Sequence, residues 1–401
     1  MRLSVVIIAS LVVLLLHGVA IAASTDPPRV FLLDAQVIEA NRLRVQQGDA
    51  ELKPALKQLT RQADKLLDAG PFSVMDKQST PPSGDKHDYQ SIGPYWWPNP
   101  DKADGLPYLR KDGQVNPERS KTGDAQSFKS MREAVVTLAY AWHFTGQENY
   151  AQHAASLLRT WYLDPATRMN PNMQYAQAIP GRTEGRGIGI VDAHSQPKLI
   201  DAIGLLQSSK AWTDTDQQGM VEWFDAFLNW LLTSKHGKDE ARTKNNHATQ
   251  YDVQVASYAL FVGKPDIAKE VLSNVAKKRI ATQIGPDGSQ PHELARTRSW
   301  DYSVFNTLHF AHLAVLGEHV GVDLWQQPEG QPSILSAIDY LLPYATGQKK
   351  WQSIQIRSFN AKDLLVSLLV AAKHDKAGRY REAAQQLLAD DAIERLVYPT
   401  P

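Results

Sequence analysis

Apolar residues recur at the spacing of an α-helix along most of this chain, and this pattern restricts its possible folds more than any other feature. One helical face contains Phe128, Met131, Val135, Leu138 and Trp142. The same period continues in residues 154–161, 199–206, 221–232, 255–262, 267–280, 305–316, 334–342, 364–372 and 383–388. The turn motifs TGQEN, VGKPD and TGQKK separate these segments at short intervals, which predicts antiparallel helical hairpins.

No convincing run of alternating strand residues and no repeat of fixed period accompanies the helical pattern. A long series of hairpins without a regular repeat is more consistent with a closed ring than with an open solenoid. We therefore predict an all-α chain whose hairpins close into an α/α toroid.

The N-terminal sequence MRLSVVIIASLVVLLLHGVAIAASTD has the organisation of a secretory signal. An early arginine precedes an apolar run from Val5 to Leu16, and a small-residue exit predicts cleavage after Ala22 or Ala23. The alternative, an uncleaved membrane anchor, needs ~20 apolar residues, which is more than this run supplies. We expect a signal peptide in residues 1–23, no membrane contact after its removal, and one catalytic-size domain over residues 24–401, in the periplasm or secreted.

The composition excludes several classes of site. The chain has no cysteine, so a disulfide framework, a thiolate zinc site and a cysteine nucleophile are impossible. Lysine plus arginine and aspartate plus glutamate number 43 each, so no net charge attracts nucleic acid. An acidic ligand must therefore be held by cations that are placed locally in a pocket.

The motif KNNHATQYDVQ, residues 244–254, places two asparagines and a histidine at the predicted start of a helix. If Asn245 caps this helix, Asn246 and His247 lie in its first turn, where free N–H groups and the helix dipole favour an anion and a neutral imidazole. Four polar residues then share one face and can line a groove, namely His247, Tyr251, Gln254 and Tyr258. An ordinary asparagine cap with a half-buried histidine would explain the same residues.

A second motif, PHELARTRSWDYSVFN, brings Arg296, Arg298 and Tyr302 together before a strongly helical run. Neighbouring guanidinium groups favour a phenolate, which lowers the pKa of a tyrosine from roughly 10 toward the range of acid–base catalysis. A surface arginine pair beside a tyrosine is the alternative interpretation.

Together the two motifs contain the groups that β-elimination on a uronic acid requires. The C5 proton, α to a carboxylate, is barely acidic until donors such as Asn246, His247 and Arg296 stabilise the dianion that forms on its removal. Tyr302 can remove this proton and protonate the departing O4. In mannuronate and glucuronate both groups lie on one side, so Tyr302 can act alone. Guluronate needs a second group, for which a neutral His247 is the candidate base.

These residues resemble the motifs of a known enzyme group. NNH, followed by ELAR and a tyrosine, is similar to the alginate lyase group of α/α-toroid polysaccharide lyases, as in family 5. DYQSIGPYWWPNP, GLPYLRKDGQVNPE and NNHATQYDVQ resemble more closely the family 38 alginate and glucuronan lyases. The resemblance extends from about Tyr89 to Tyr302. It implies an incomplete α/α barrel with a tunnel or cleft, no obligatory metal, and cleavage of a 1,4-linked polyuronate.

Carried over by position, the resemblance assigns Asn246 and Arg296 to carboxylate neutralisation, His247 to the active-site histidine and Tyr302 to the catalytic tyrosine. The spacing in RTRSWDY is one residue shorter than in family 5, so Arg298 can replace Arg296 in its role. The implied partner is an acidic polysaccharide, and alginate, mannuronan and glucuronan remain alternatives, as do internal and terminal attack.

Two long loops, residues 87–117 and 170–196, interrupt the helical pattern and are expected to bind the sugar. Aromatic residues of the first can stack on a pyranose, although core packing would also explain them: Tyr89, Tyr95, Trp96 and Trp97. In the second loop, Arg182 and Arg186 can hold uronate carboxylates by bidentate pairing, and His194 can reach the cleft. The predicted substrate-binding set is completed by Asn245, Tyr251, Gln254 and Arg298.

Two rival functions remain. A glycoside hydrolase on the same toroid needs two carboxylates at the bond, and none of its candidates is paired in an evident motif: Asp88, Asp192, Asp252, Glu293 and Asp301. A non-catalytic polyuronate-binding protein would not need His247 and Tyr302, which are both present. His309 and His312 lack the motif of a zinc site and are predicted to be core histidines, so no metal or other cofactor is expected.

Overall fold

The computed structural model describes residues 27–399, and α-helices dominate this part of the chain. In chain order the helices are α1 (Ala35–Gln46), α2 (Lys53–Leu66), α3 (Ala125–Thr145), α4 (Glu148–Leu158), α5 (Gln196–Leu206), α6 (Asp214–Thr233), α7 (Lys235–Ala241), α8 (Asn246–Phe261), α9 (Pro265–Ser273), α10 (Ala281–Gln283), α11 (Pro291–Leu294), α12 (Ser299–Glu318), α13 (Ile334–Ala345), α14 (Leu365–Ala371), α15 (Arg379–Leu387) and α16 (Glu394–Val397). The prediction of an all-α toroid is confirmed.

The helices form an inner and an outer layer. In the inner layer α5 packs between α3 and α8, α8 packs on α12, and α12 packs on α14. Helices α4, α6, α9 and α13 cover the inner layer from outside. Helix α8 also contacts α6, α7 and α9, so other helices surround it. Even its polar residues therefore lie inside the protein. The predicted apolar face of α3 is buried as expected, from Phe128 to Trp142.

Short connections reverse the chain between layers, as the turn motifs predicted. Helix α3 ends at Gly146 in TGQEN, and α8 is followed by Gly263 in VGKPD. Both glycines adopt a left-handed backbone conformation, with φ of 69° and 75°, which glycine tolerates without steric cost.

The two long loops contain four short strands, β1 (Gln90–Ile92), β2 (Trp96–Trp97), β3 (Leu109–Arg110) and β4 (Tyr175–Ala178). Strands β1 and β4 pair in parallel and connect the two loops, whereas β2 and β3 form an antiparallel pair within the first loop. The sequence did not predict these strands because two to four residues are too few to show an alternating pattern.

The start of the described chain closes the ring against later elements. The backbone N–H groups of Phe31, Leu32 and Leu33 donate to the Asp201 carboxylate on α5, at 2.7, 2.9 and 2.8 Å. The Asn41 amide on α1 donates to the carbonyl oxygen of Leu396 on α16 at 3.0 Å. These bonds join the segment before α1 to α5, and α1 to α16, and we call the contact between α1 and α16 the seam of the toroid.

Among the described residues, no helix has the length and apolar character needed to cross a membrane. The predicted signal peptide, residues 1–23, lies outside the described residues. The single domain over residues 24–401 stays a prediction.

Candidate active site

A cleft of about 900 Å³ opens at the inner helices and is lined by both long loops, by α3 and by the first turns of α8 and α12. Its wall is strongly cationic: the lining lysines and arginines are Arg110, Arg119, Lys129, Arg132, Arg186, Arg296 and Arg298, against the carboxylates of Asp192 and Asp301. Because the whole chain has no net charge, this excess of cations is local to the cleft.

Asn246 is the first residue of α8, and Glu293 on α11 fixes its position. The Asn246 backbone N–H and side-chain Nδ2 donate to the two Glu293 carboxylate oxygens, at 2.7 and 2.6 Å. Asn245 lines the cleft and occupies the N-cap position of α8, as predicted, but its side chain makes no cap bond. Glu293 takes that place, and the second Nδ2 hydrogen of Asn246 remains for a ligand.

His247 lies next to a buried carboxylate that the sequence analysis did not include. Its Nδ1 is 2.8 Å from Oε1 of Glu240 on α7. Burial acts to lower the pKa of His247, but the Glu240 carboxylate outweighs burial and raises this pKa above its ordinary value. The helix N-terminus was expected to disfavour the protonated imidazole; this expectation is wrong in direction, because the Glu240 carboxylate favours that form. Nε2 is the ring atom left for a ligand.

Arg296 and Tyr302 are in direct contact. Nη2 of Arg296 donates to the Tyr302 hydroxyl at 2.9 Å, and the guanidinium lies 4.0 Å from the centre of the tyrosine ring. The same nitrogen donates to Asp112 at 2.9 Å, next to strand β3. Arg298 instead pairs with Asp301 at 2.5 Å and only approaches the Tyr95 hydroxyl, at 3.5 Å. Of the two arginines, Arg296 is the one bonded to Tyr302.

The environment of Tyr302 favours its protonated form. Burial raises the pKa of Tyr302 most, and the neighbouring Tyr95 adds to this, while Arg296 acts in the opposite direction. The two tyrosine hydroxyls are 2.5 Å apart. The expectation that the pKa of Tyr302 is lowered is therefore wrong for the free protein, because loss of solvent outweighs the charge of the arginines.

Of the predicted aromatic residues, the structure places Tyr95 and Trp96 at the cleft. Trp97 is half-buried and donates to the Gln114 carbonyl at 2.9 Å outside the cleft lining. Tyr89 is wholly buried and donates to Asp192 at 3.0 Å, so its predicted contact with sugar is wrong.

The predicted polar stripe of α8 does not line the cleft beyond His247. The Tyr251 hydroxyl donates to the Leu231 carbonyl at 2.9 Å, and the Gln254 amide donates to Gln250 at 2.7 Å. Both side chains are buried. Their prediction as substrate-binding residues is wrong because other helices surround α8, and its polar groups bond to one another and to neighbouring backbone.

One of the two arginines predicted in the second loop lies at the cleft. Arg186 lines the cleft and donates to the carbonyl and side-chain oxygens of Gln177, at 2.8 and 3.1 Å. Burial lowers the pKa of Arg186 to about 10. Arg182 is exposed, outside the cleft lining, and contacts the face of Trp96. His194 lies in the cleft, as predicted.

The candidate acids of a hydrolase each have other partners. Asp192 accepts from Arg119 at 2.6 Å, and Asp252 accepts from Arg279 at 2.7 Å. Asp301 pairs with Arg298, and Asp88 accepts from Asn170 and Asn172, at 3.0 and 2.9 Å. Together with Glu293, which holds Asn246, each of these carboxylates is engaged by a cationic or amide partner.

The chain resembles proteins of one family. The sequence pattern of the alginate lyase family matches residues 73–351. An alginate lyase from Bacteroides ovatus is 40% identical, with a TM-score of 0.89 over 93% of this chain and 100% of that chain. Alginate lyase A1-III from Sphingomonas species A1 is 17% identical, with a TM-score of 0.57 over 92% and 95%. A variant of A1-III in complex with a tetrasaccharide is 16% identical, with a TM-score of 0.61 over 94% and 98%. No curated protein matches the chain significantly.

Proposed function

The chain belongs to the alginate lyase family and is a polysaccharide lyase, and we propose that it cleaves a 1,4-linked polyuronate such as alginate, mannuronan or glucuronan by β-elimination. The observation that carries this proposal is the bond between Arg296 and Tyr302 in a cationic cleft that also contains Asn246 and His247. A polyanion is the ligand that such a cleft suits best.

In the proposed first step, donors neutralise the carboxylate of the sugar unit that reacts. The Arg296 guanidinium, the free Nδ2 hydrogen of Asn246 and Nε2 of His247 are the available groups. They stabilise the dianion that forms when the C5 proton leaves, and their effect is greatest in the transition state. Asp112 and Glu293 hold two of these donors in place before the substrate arrives.

Proton transfer completes the elimination. With mannuronate or glucuronate, the Tyr302 phenolate removes the C5 proton, the C4–C5 double bond forms as the C4–O4 bond breaks, and Tyr302 returns the proton to O4. Because the free protein favours protonated Tyr302, this route becomes faster as the pH rises. With guluronate, protonated Tyr302 is already the acid, and neutral His247 is the base.

Substitution of Tyr302 and His247 tests the mechanism. Tyr302→Phe should lower kcat on every polyuronate by about 1,000-fold or more, since mannuronate and glucuronate lose both base and acid and guluronate loses the acid. His247→Gln keeps hydrogen bonding but not basicity, so it should spare mannuronan or glucuronan more than guluronan. Initial rates on block-defined polymers are followed by the ultraviolet absorbance of the 4,5-double bond, and Tyr344→Phe on α13 is the control.

Two results would contradict the proposal. Near-normal turnover of Tyr302→Phe would exclude the assigned acid–base role, and new reducing ends without ultraviolet absorbance would indicate hydrolysis. Equal losses for His247→Gln on both epimers would exclude only the division of roles between the two residues.

A further inference from the structure

Arg132 on α3 is a buried cation in the cleft wall for which the described residues offer no ion-pair partner. The residue is 3% exposed. Its Nε donates to the Phe128 carbonyl at 3.0 Å, and its guanidinium lies 3.8 Å from the centre of the Phe128 ring. Nη1 is buried and has no hydrogen-bond partner.

Other arginines of the cleft, which are only half-buried, are compensated. Arg119 pairs with Asp192, Arg296 with Asp112, and Arg298 with Asp301. Arg186 has at least the two oxygen acceptors of Gln177. A buried unpaired charge is costly to the fold, and a water molecule could satisfy Nη1 but could not neutralise the guanidinium. Arg132 therefore has an unmet requirement for an anion at a position that a ligand in the cleft can approach.

We propose that Arg132 is a second carboxylate receptor, which binds a uronate unit next to the one that reacts. This inference rests on the proposed function. Arg132 belongs to α3, whereas Asn246 and His247 start α8 and Arg296 precedes α12. Since every unit of a polyuronate carries a carboxylate, a chain held by Arg296 at one unit offers a further carboxylate to the α3 wall. The planar guanidinium can accept it by two parallel hydrogen bonds.

The test is Arg132→Met, which keeps much of the side-chain volume and removes the charge. KM is measured for the polyuronate that the wild type cleaves fastest. We expect it to rise about tenfold or more, because one charge-assisted contact is lost, and we expect kcat to change less than about threefold. The melting temperature should rise, because the substitution removes an uncompensated buried charge. A merely structural arginine would show the opposite pattern, a lower melting temperature at unchanged KM, and that result would overturn the inference.

Two further variants keep the test decisive. Arg381→Met on α15 removes the same charge from an exposed position and should leave KM unchanged. If Arg132→Met does not fold, Arg132→Lys is measured instead, and a KM equal to that of the wild type overturns the inference.

Binding of a tetrasaccharide to the Tyr302→Phe protein, with and without Arg132→Met, separates affinity from turnover. A wild type inactive on all polyuronates would contradict the proposed function itself, whereas an active wild type with an indifferent Arg132 contradicts only this inference.

Discussion

At the scale of single residues, protonation in the cleft is decided by burial and by carboxylates outside its lining. Tyr302 is protonated because it is buried beside Tyr95, and His247 is drawn toward its charged form by Glu240. Neither influence follows from the residues adjacent in sequence. The arginines near Tyr302 act as predicted but are too weak to overcome the loss of solvent.

Glu240→Gln should lower the pKa of His247, because it removes the negative charge that favours the imidazolium. A base must be neutral, so the acid limb of kcat/KM on guluronate-containing polymers should move to lower pH. The same pKa shift affects stability. Because the pKa of His247 is raised in the folded state, its protonation stabilises the protein at low pH, and this contribution is lost as the pH rises through that pKa. The variant should therefore be less stable than the wild type at acidic pH. pH–rate profiles and pH-dependent melting measure both effects.

The matched control is Asp239→Asn, which removes an exposed carboxylate that pairs with Lys235 next to Glu240. It should leave the acid limb in place. If Glu240→Gln also left it in place, the limb would belong to another group than His247.

Sequence reasoning identified side chains that line the cleft and missed the carboxylates that hold them in place. Arg296, Tyr302, Asn246 and His247 belong to recognisable motifs, and the structure brings all four to one cleft. Their supports are distant: Asp112 lies 184 residues from Arg296, and Glu293 lies 47 from Asn246. Such pairs depend on how the chain folds back, which no local pattern specifies. Glu240 is only 7 residues from His247, one helix earlier, and this proximity in the sequence was the one signal that could have indicated their contact.

At the scale of elements, some helices were predicted from the sequence and others were not. Helix α3 shows a continuous apolar face, whereas α2 buries only Ala55, Leu59 and Ala63 and was not predicted, although its apolar and polar residues lie on separate faces. The segment after β3 shows why short elements matter. It carries Asp112, whose carboxylate accepts from Arg296 and Thr297; burial opposes ionisation, but these donors lower the pKa of Asp112 to about 2.

Gly113→Ala should displace this segment. Gly113 has φ of 73°, and a Cβ there would lie 2.4 Å from Thr297 Oγ1 and 2.8 Å from Ile356 Cδ1. Asp112 would move away from Arg296, and we expect kcat to fall by about tenfold, since small displacements of a positioned donor have large effects. Steady-state kinetics and thermal melting measure the change.

Gly84→Ala provides the control for backbone strain. Gly84 has a similar φ of 80°, but a Cβ there would meet no atom within 4 Å. Both variants should lose a comparable stability of about 1 kcal/mol from the left-handed conformation. Only Gly113→Ala should lose activity, and equal kinetics of the two variants would exclude a role for the Asp112 segment in positioning Arg296.

At the scale of the whole molecule, a protein without net charge contains a cationic cleft. Attraction of a polyanion then depends on the cleft cations and not on a long-range field. Salt screens exposed charges beyond about 8 Å at physiological ionic strength.

We therefore expect KM to rise severalfold between about 0.05 and 0.5 M sodium chloride, with little change in kcat, because the buried donors at Arg296 and Asn246 are screened less than the rim of the cleft. Melting temperatures at the same salt concentrations show whether the fold itself responds. A kcat that falls while KM stays constant would contradict this expectation.

The seam between α1 and α16 bears on how the chain reaches its native state. Asn41 bonds to a carbonyl 355 residues further along the chain, so this contact is among the least local that the fold contains. During synthesis α1 emerges before its partner, which follows only when the residues up to α16 have been translated. Contacts between such distant residues form slowly, because a long loop must close before they bring any stabilisation. The ring is therefore expected to close after translation of α16, and until then the faces of α1 and α2 that pack on α16 are open to other surfaces.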